Sequence, residues 1–202
     1  MPLGTGSDSV PLTRCRREQV VEKNMAPDRR RPPASSKKKN MEFIYISTGP
    51  RDTLEAGKIL GASLTPGSVI GLAGELGAGK TCFIKGMAYG INRTPEDEVT
   101  SPTFAILQEY AGSVPLYHLD AYRITGSDDL ETVGLEDCMD AGGIVVIEWA
   151  DRIEDALPEE HLMISIEVMS EQKRKFIFKP SGVRYRAAVN ELHAALVPRA
   201  CT

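Results

Sequence analysis

Eight consecutive residues, Gly74-Glu75-Leu76-Gly77-Ala78-Gly79-Lys80-Thr81, have the spacing G-x-x-x-x-G-K-[ST]. Each residue type has a physical task in that spacing. Glycines let the backbone take positive φ and approach an anion closely, so that successive N–H groups point at phosphate oxygens. The N-terminus of a following helix adds the positive end of its dipole. A lysine in the position of Lys80 reaches the β- and γ-phosphates of a nucleoside triphosphate, and the Thr81 hydroxyl ligates Mg²⁺. The pattern requires a strand before it and a helix after it. The apolar run Ser68–Ala73 and the segment Lys80–Tyr89 supply both.

A phosphate loop needs an acid for the metal at the end of an apolar strand. Glu148 ends the run GIVVIE and fits best, while Asp120, which ends LYHLD, is the other candidate. His118 lies two residues before Asp120 on the same side of its strand, and reads more simply as a packed or surface residue. Thr100-Ser101-Pro102-Thr103 falls between the loop's helix and the next strand, where many such proteins keep a segment that senses the γ-phosphate. Its hydroxyls suit donation to phosphate or positioning of water, with Thr103 the expected contact. A plain turn is the other reading.

The elements that must hold these groups are an alternation of strands and helices. Phe43–Ser47 and Ser68–Ala73 read as strands, with a helix at Thr53–Leu64 capped by Asp52 or Thr53. The helix Lys80–Tyr89 is expected to close at Gly90. Phe104–Tyr110 and Pro115–Leu119 form an antiparallel hairpin, Asp128–Val133 a short helix, and Gly143–Ile147 a second fully apolar strand. A polar turn or helix occupies Asp151–Ala156. His161–Met169 and Lys175–Phe178 alternate and predict a half-exposed hairpin. The chain closes on an amphipathic helix marked by Tyr185, Val189, Leu192 and Leu196. The predicted fold class is α/β, with helices on both faces of a mixed central sheet.

The 202 residues suffice for one α/β domain and an extension. Residues 1–40 carry ten Lys or Arg against four Asp or Glu, and residues 41–202 carry fourteen against twenty-four. The first segment holds almost no apolar periodicity, which predicts a disordered basic arm over 1–40 and a folded domain over 41–202. The acidic domain argues against broad nucleic-acid binding by the domain itself. No apolar run approaches the ~20 residues of a membrane helix. The four cysteines are scattered without a CxxC pair, pointing to free thiols in a reducing compartment and a cytoplasmic protein.

Together, the segments GELGAGKT, TSPTF, LYHLDAYR and VVIEWA, in this order and spacing, resemble the TsaE family of bacterial ATPases over about residues 43–180. The resemblance implies a P-loop NTPase-like three-layer fold binding ATP and Mg²⁺, with slow intrinsic ATPase activity. It implies service to the threonylcarbamoyladenosine modification of tRNA beside the anticodon, in company with the TsaD and TsaB proteins and touching tRNA only through them. It makes Thr81 and Glu148 the metal ligands and Gly77, Ala78, Gly79, Lys80, Thr81 and Cys82 the phosphate grip. Asp120 joins Lys80 and Glu148 in the catalytic set, and Trp149 lies close to the nucleotide, a core aromatic being the alternative for it. Cys82 departs from the family pattern, which commonly has a second Thr there. A basic residue near Lys173-Arg174 is expected at the nucleotide, in a register left open.

Two other functions fit the loop. One is a binding module in which ATP orders a docking surface without essential turnover. The other is a small-molecule kinase, for which the arginines between the loop and the last hairpin are Arg93, Arg123 and Arg152. A GTPase is disfavoured by the absence of NKxD. All of the nucleotide-binding readings share one expectation: Lys80→Ala abolishes tight ATP binding in a calorimetric titration. Unchanged affinity would contradict the role assigned to the loop.

Overall fold

Among the described residues the chain forms β1 (Phe43–Ser47), α1 (Pro50–Ser63), β2 (Val69–Ala73), α2 (Lys80–Asn92), β3 (Leu107–Tyr110), β4 (Leu116–Asp120), α3 (Leu135–Asp140), β5 (Ile144–Glu148), β6 (Leu162–Val168), β7 (Arg174–Pro180) and α4 (Val183–Leu196). This is a computed structural model describing residues 42–102, 105–124 and 133–197. The arm at 1–40, Thr103 and nearly all of the helix expected at Asp128–Val133 lie outside the described residues.

The strands make one sheet in the order β1-β7-β6-β2-β5-β4-β3. Its middle is parallel, β6 and β5 flanking β2 and β4 beside β5. Antiparallel pairs close both ends, β1 with β7, β7 with β6, and β3 with β4. The two wholly apolar runs become β2 and β5 at the centre, as expected of strands covered on both faces. On one face Ile70, Leu72, Ile144, Val146, Ile164 and Phe176 meet α1, α2 and α4. On the other face Val69, Val145, Ile147 and Met163 meet α3 and the short turns after β5. The mixed three-layer α/β architecture is therefore as the pattern predicts.

Local differences have physical causes. Leu162–Ile164 is buried rather than half-exposed, because β6 is an interior strand and only Glu167 and Val168 emerge at its end. Helix α1 begins at Pro50 with Gly49 as its cap residue, not Asp52 or Thr53. Proline is tolerated in a first turn because its missing N–H would have no helical partner. Asp52 instead accepts hydrogen bonds from the Thr48 backbone N–H and hydroxyl, which hold its carboxyl below the usual range. Helix α2 runs past Gly90 to Asn92 and ends at Arg93, which takes a left-handed conformation at φ 61°.

Gly90 belongs instead to the contact between α1 and α2. A Cβ at Gly57 would lie 2.2 Å from the Phe83 carbonyl oxygen, one at Gly61 2.4 Å from that of Met87, one at Gly86 2.1 Å from that of Leu54, and one at Gly90 2.2 Å from that of Lys58. Four glycines, two spaced by four residues on each helix, thus let the two backbones touch. Elsewhere Gly→Ala in a helix is worth ~1 kcal/mol of stabilisation. Here Gly86→Ala is expected to destabilise by about 1–3 kcal/mol through overpacking. Urea unfolding reads the sign, and a stabilised variant would contradict the close helix contact.

Candidate functional site

The loop leaves β2 at Ala73 and enters α2 at Lys80. Gly77 and Gly79 take φ of 79° and 103°, a left-handed region in which a side chain would be strained. The turn delivers Lys80 and Thr81 to the first turn of α2, with the loop's own amides beside them. The Lys80 Nζ donates to the carbonyls of Gly74 at 2.8 Å and Glu75 at 3.0 Å, and stands 3.5 Å from the centroid of the Trp149 ring. Burial pulls its pKa below the ordinary lysine value, against the opposing fields of Glu148, Asp120, Asp151 and Glu75.

The geometry separates the two candidate acids. The Thr81 hydroxyl donates to Glu148 Oε1 at 2.8 Å, so the loop's helix and the end of β5 meet at one carboxylate. The same oxygen lies 3.0 Å from His118 Nε2. Burial by itself would push the Glu148 pKa up; hydrogen bonds from His118 and Thr81 and the charge of Lys80 outweigh it, and the net shift is downward. Asp120 lies opposite Glu148 in the β4–β5 register, and its Oδ1 accepts from the Tyr122 N–H at 3.0 Å. Both acids are buried in chain terms but line the same cavity.

That cavity, about 490 Å³, is bounded by Leu76, Gly77, Gly79, Lys80, Thr81, Cys82, Ser101, Asp120, Tyr122, Glu148 and Trp149. Its size is within the range of small-molecule sites. Trp149 is half-buried at φ 60°, lines the cavity beside Lys80 and the Tyr122 ring, centroids 5.0 Å apart, and also packs against the core on that face of the sheet. Cys82 is half-buried, with Sγ 3.7 Å from the Pro50 carbonyl, and burial pushes its thiol pKa up. Ser101 reaches the cavity, while the backbone N–H and C=O of Thr100 are both held by the Tyr110 hydroxyl at 3.1 Å. Thr103 lies outside the described residues.

Two residues carry weight that sequence reasoning did not assign, and a third settles between two that it left open. His118 is wholly buried against Glu148, and its signal was strand alternation with Asp120. Tyr122 forms an exposed aromatic wall with Arg152 5.3 Å from its ring. Arg174, one of the two basic residues left open, donates from Nε to the Ala78 carbonyl at 3.1 Å and from Nη1 to the Ser170 carbonyl at 2.8 Å. It ties the β6–β7 turn to the phosphate loop. Of the other cations, Arg93 sits at the far end of α2 over Tyr89, and Arg123 is exposed outside the cavity lining.

Comparison with known proteins finds relatives of this chain. The family model described as threonylcarbamoyl adenosine biosynthesis protein TsaE matches residues 47–176. The chain is 41% identical over 130 residues to the tRNA threonylcarbamoyladenosine biosynthesis protein TsaE of Treponema pallidum, spanning 64% of this chain and 95% of that protein. It is 41% identical over 152 residues to the protein of the same name from Bacillus subtilis, spanning 75% and 94%. The crystal structure of Bacillus subtilis YdiB superposes with a TM-score of 0.63 at 34% identity, covering 77% of this chain and 97% of that one.

The Glu148 shift has a consequence for stability. Because the folded value is lowered, ionised Glu148 contributes stability above its ordinary value of 4.5, and that contribution is lost as pH falls through the lower folded value. At neutral pH Glu148→Gln is expected to lose about 1–3 kcal/mol, the worth of hydrogen bonds to a charged group. Denaturant unfolding across pH should show the gap closing below about 4.5. A gap that does not change with pH would contradict an ionised, hydrogen-bonded Glu148.

Proposed function

The chain belongs to the TsaE family, and from that membership and the geometry of its loop we propose that it is the ATP-binding and hydrolysing component of the machinery that makes threonylcarbamoyladenosine on tRNA. One observation carries the chemical part of this reading: Thr81 and Glu148 meet at 2.8 Å beside Lys80 at the N-terminus of α2. These are two hard oxygen donors next to a phosphate cradle. They fit Mg²⁺, which keeps several waters and substrate phosphates and so needs few protein ligands. Among the described residues no three His, Cys, Asp or Glu side chains group as a metal cage.

In this reading Gly77, Ala78, Gly79, Lys80, Thr81 and Cys82 grip the phosphates through backbone amides and the Lys80 ammonium. Thr81 and Glu148 would hold Mg²⁺, which would supply positive charge to the phosphates. Asp120, at the end of β4 on the cavity wall, orients the attacking water and receives its proton. Trp149 and Tyr122 shield the reacting end from bulk water, and Thr103 contributes a further contact to ATP. The site residues act by positioning and electrostatics, as phosphoryl transfer requires.

Two features support dependence on partners. The aliphatic side chain of Leu76, 89% exposed, and the exposed Tyr122 ring both line the cavity. The cations expected to serve a transferred phosphate in cis are absent from the described cavity lining, Lys80 apart. The partners in this reading are TsaD and TsaB, with tRNA contacted through them, in the cytoplasm. Among the described residues no helix is long and apolar enough to cross a membrane. Steady-state assays are expected to show slow ATP turnover alone and faster turnover with TsaD and TsaB, up to the ~10³–10⁵ that a supplied transition-state cation is worth. Asp120→Ala should remove the stimulated rate and leave ATP binding in place. Equal rates with and without the partners would contradict partner activation.

A further inference from the structure

Strand β4 alternates so that Leu116, His118 and Asp120 share the face toward α2, beside Ile144, Val146 and Glu148 of β5. Leucine at one end of that row is core, and aspartate at the other end reaches the cavity. Between them His118 is 0% exposed, in a place that an aliphatic residue would fill without any polar atom to satisfy. Its Nε2 lies 3.0 Å from Glu148 Oε1. An ionised carboxylate only accepts, so Nε2 is the nitrogen that carries hydrogen. Nδ1 has no hydrogen-bond partner, and among the described residues it is the one buried side-chain polar atom in that condition. The imidazole is therefore bonded in one direction only, toward Glu148. The Tyr110 ring, centroid 6.4 Å away at 31°, flanks it.

Resting on the nucleotide reading above, we infer that His118 is a positioning residue, which holds the Glu148 carboxylate in the orientation that serves Thr81 and the metal. It is not among the residues that line the cavity and acts through Glu148. One Glu148 oxygen receives both His118 and Thr81, so the two donors fix the position of that oxygen from opposite elements, β4 and α2. Without His118 the carboxylate keeps one of these two anchors and is free to rotate about its last bond. Loss of a group that orients a metal ligand typically lowers metal affinity 10–100-fold.

The test compares three replacements in the full chain. His118→Gln keeps a donor at the reach of Nε2, His118→Asn keeps the amide but falls short of Glu148, and His118→Leu removes the donor. The measurement is calorimetric titration of ATP in EDTA and at stepped Mg²⁺ concentrations, with the melting temperature of each variant alongside. In His118→Leu and His118→Asn, the Mg²⁺ needed for half of the metal-dependent gain in ATP affinity is expected to rise ~10–100-fold. ATP affinity in EDTA should stay unchanged, and His118→Gln should recover most of the metal response. If His118→Leu does not fold, the Gln and Asn pair decides alone. A wild-type metal response in His118→Asn, or equal losses in Gln and Asn, would overturn the inference. Wild-type protein whose ATP affinity ignores Mg²⁺ would overturn the nucleotide reading itself and this inference with it.

Discussion

The hydrogen bond between Thr81 and Glu148 joins two elements whose relative placement every other feature of the site depends on. Thr81 is fixed by the start of α2 and Glu148 by the end of β5. They meet because β2, which leads into the loop, runs parallel to β5 as its immediate neighbour, with Leu72 level with Glu148. In a parallel sheet the carboxyl ends of neighbouring strands lie along one edge, and groups at those ends converge there. Asp120 arrives by the same rule, since β4 is also parallel to β5 and ends level with it.

That edge gathers negative charge around one buried cation. Glu148, Asp120, Asp151 and Glu75 all act on Lys80, and burial opposes its charge. The lysine's direct partners are two loop carbonyls and an indole face, each a weaker partner for an ammonium than a phosphate anion. The arrangement keeps Lys80 beside the loop without committing it to an ion pair, because Glu148 is engaged by Thr81 and His118, and one Asp120 oxygen by the Tyr122 amide.

The position of α2 is itself set by how closely it packs on α1. Glycines at 57, 61, 86 and 90 put backbone against backbone, which leaves little room for α2 to shift along its neighbour. On its other side α2 sends Phe83, Ile84 and Met87 into the sheet core. Arg174 adds a third restraint by bonding the loop carbonyl of Ala78 to the far hairpin. A phosphate cradle built from backbone amides needs such restraint, because amides that move do not present a fixed field.

What the sequence by itself determined was local. The loop spacing, the apolar runs that became β2 and β5, and the period of the last helix are properties of neighbouring residues, and neighbours are what a sequence displays. Glu148 was legible as a strand-end acid for the same reason. The tertiary structure decided what depends on strand order and helix approach. Alternation placed His118 and Asp120 on one side, but only the β4–β5 register brought His118 to Glu148 thirty residues away. Gly90 looked like a helix stop because glycine commonly is one, and its use against Lys58 appears only when α1 lies alongside. His161–Met169 alternated like a half-exposed strand, and its far end is exposed, yet its first part, Leu162–Ile164, lies beside β2 and is buried on both sides. Arg174 could not be told from Lys173 by type, and the start of β7 decided which of them faced the loop. Contacts between residues far apart in the chain follow from packing the whole sheet, and no local pattern encodes them.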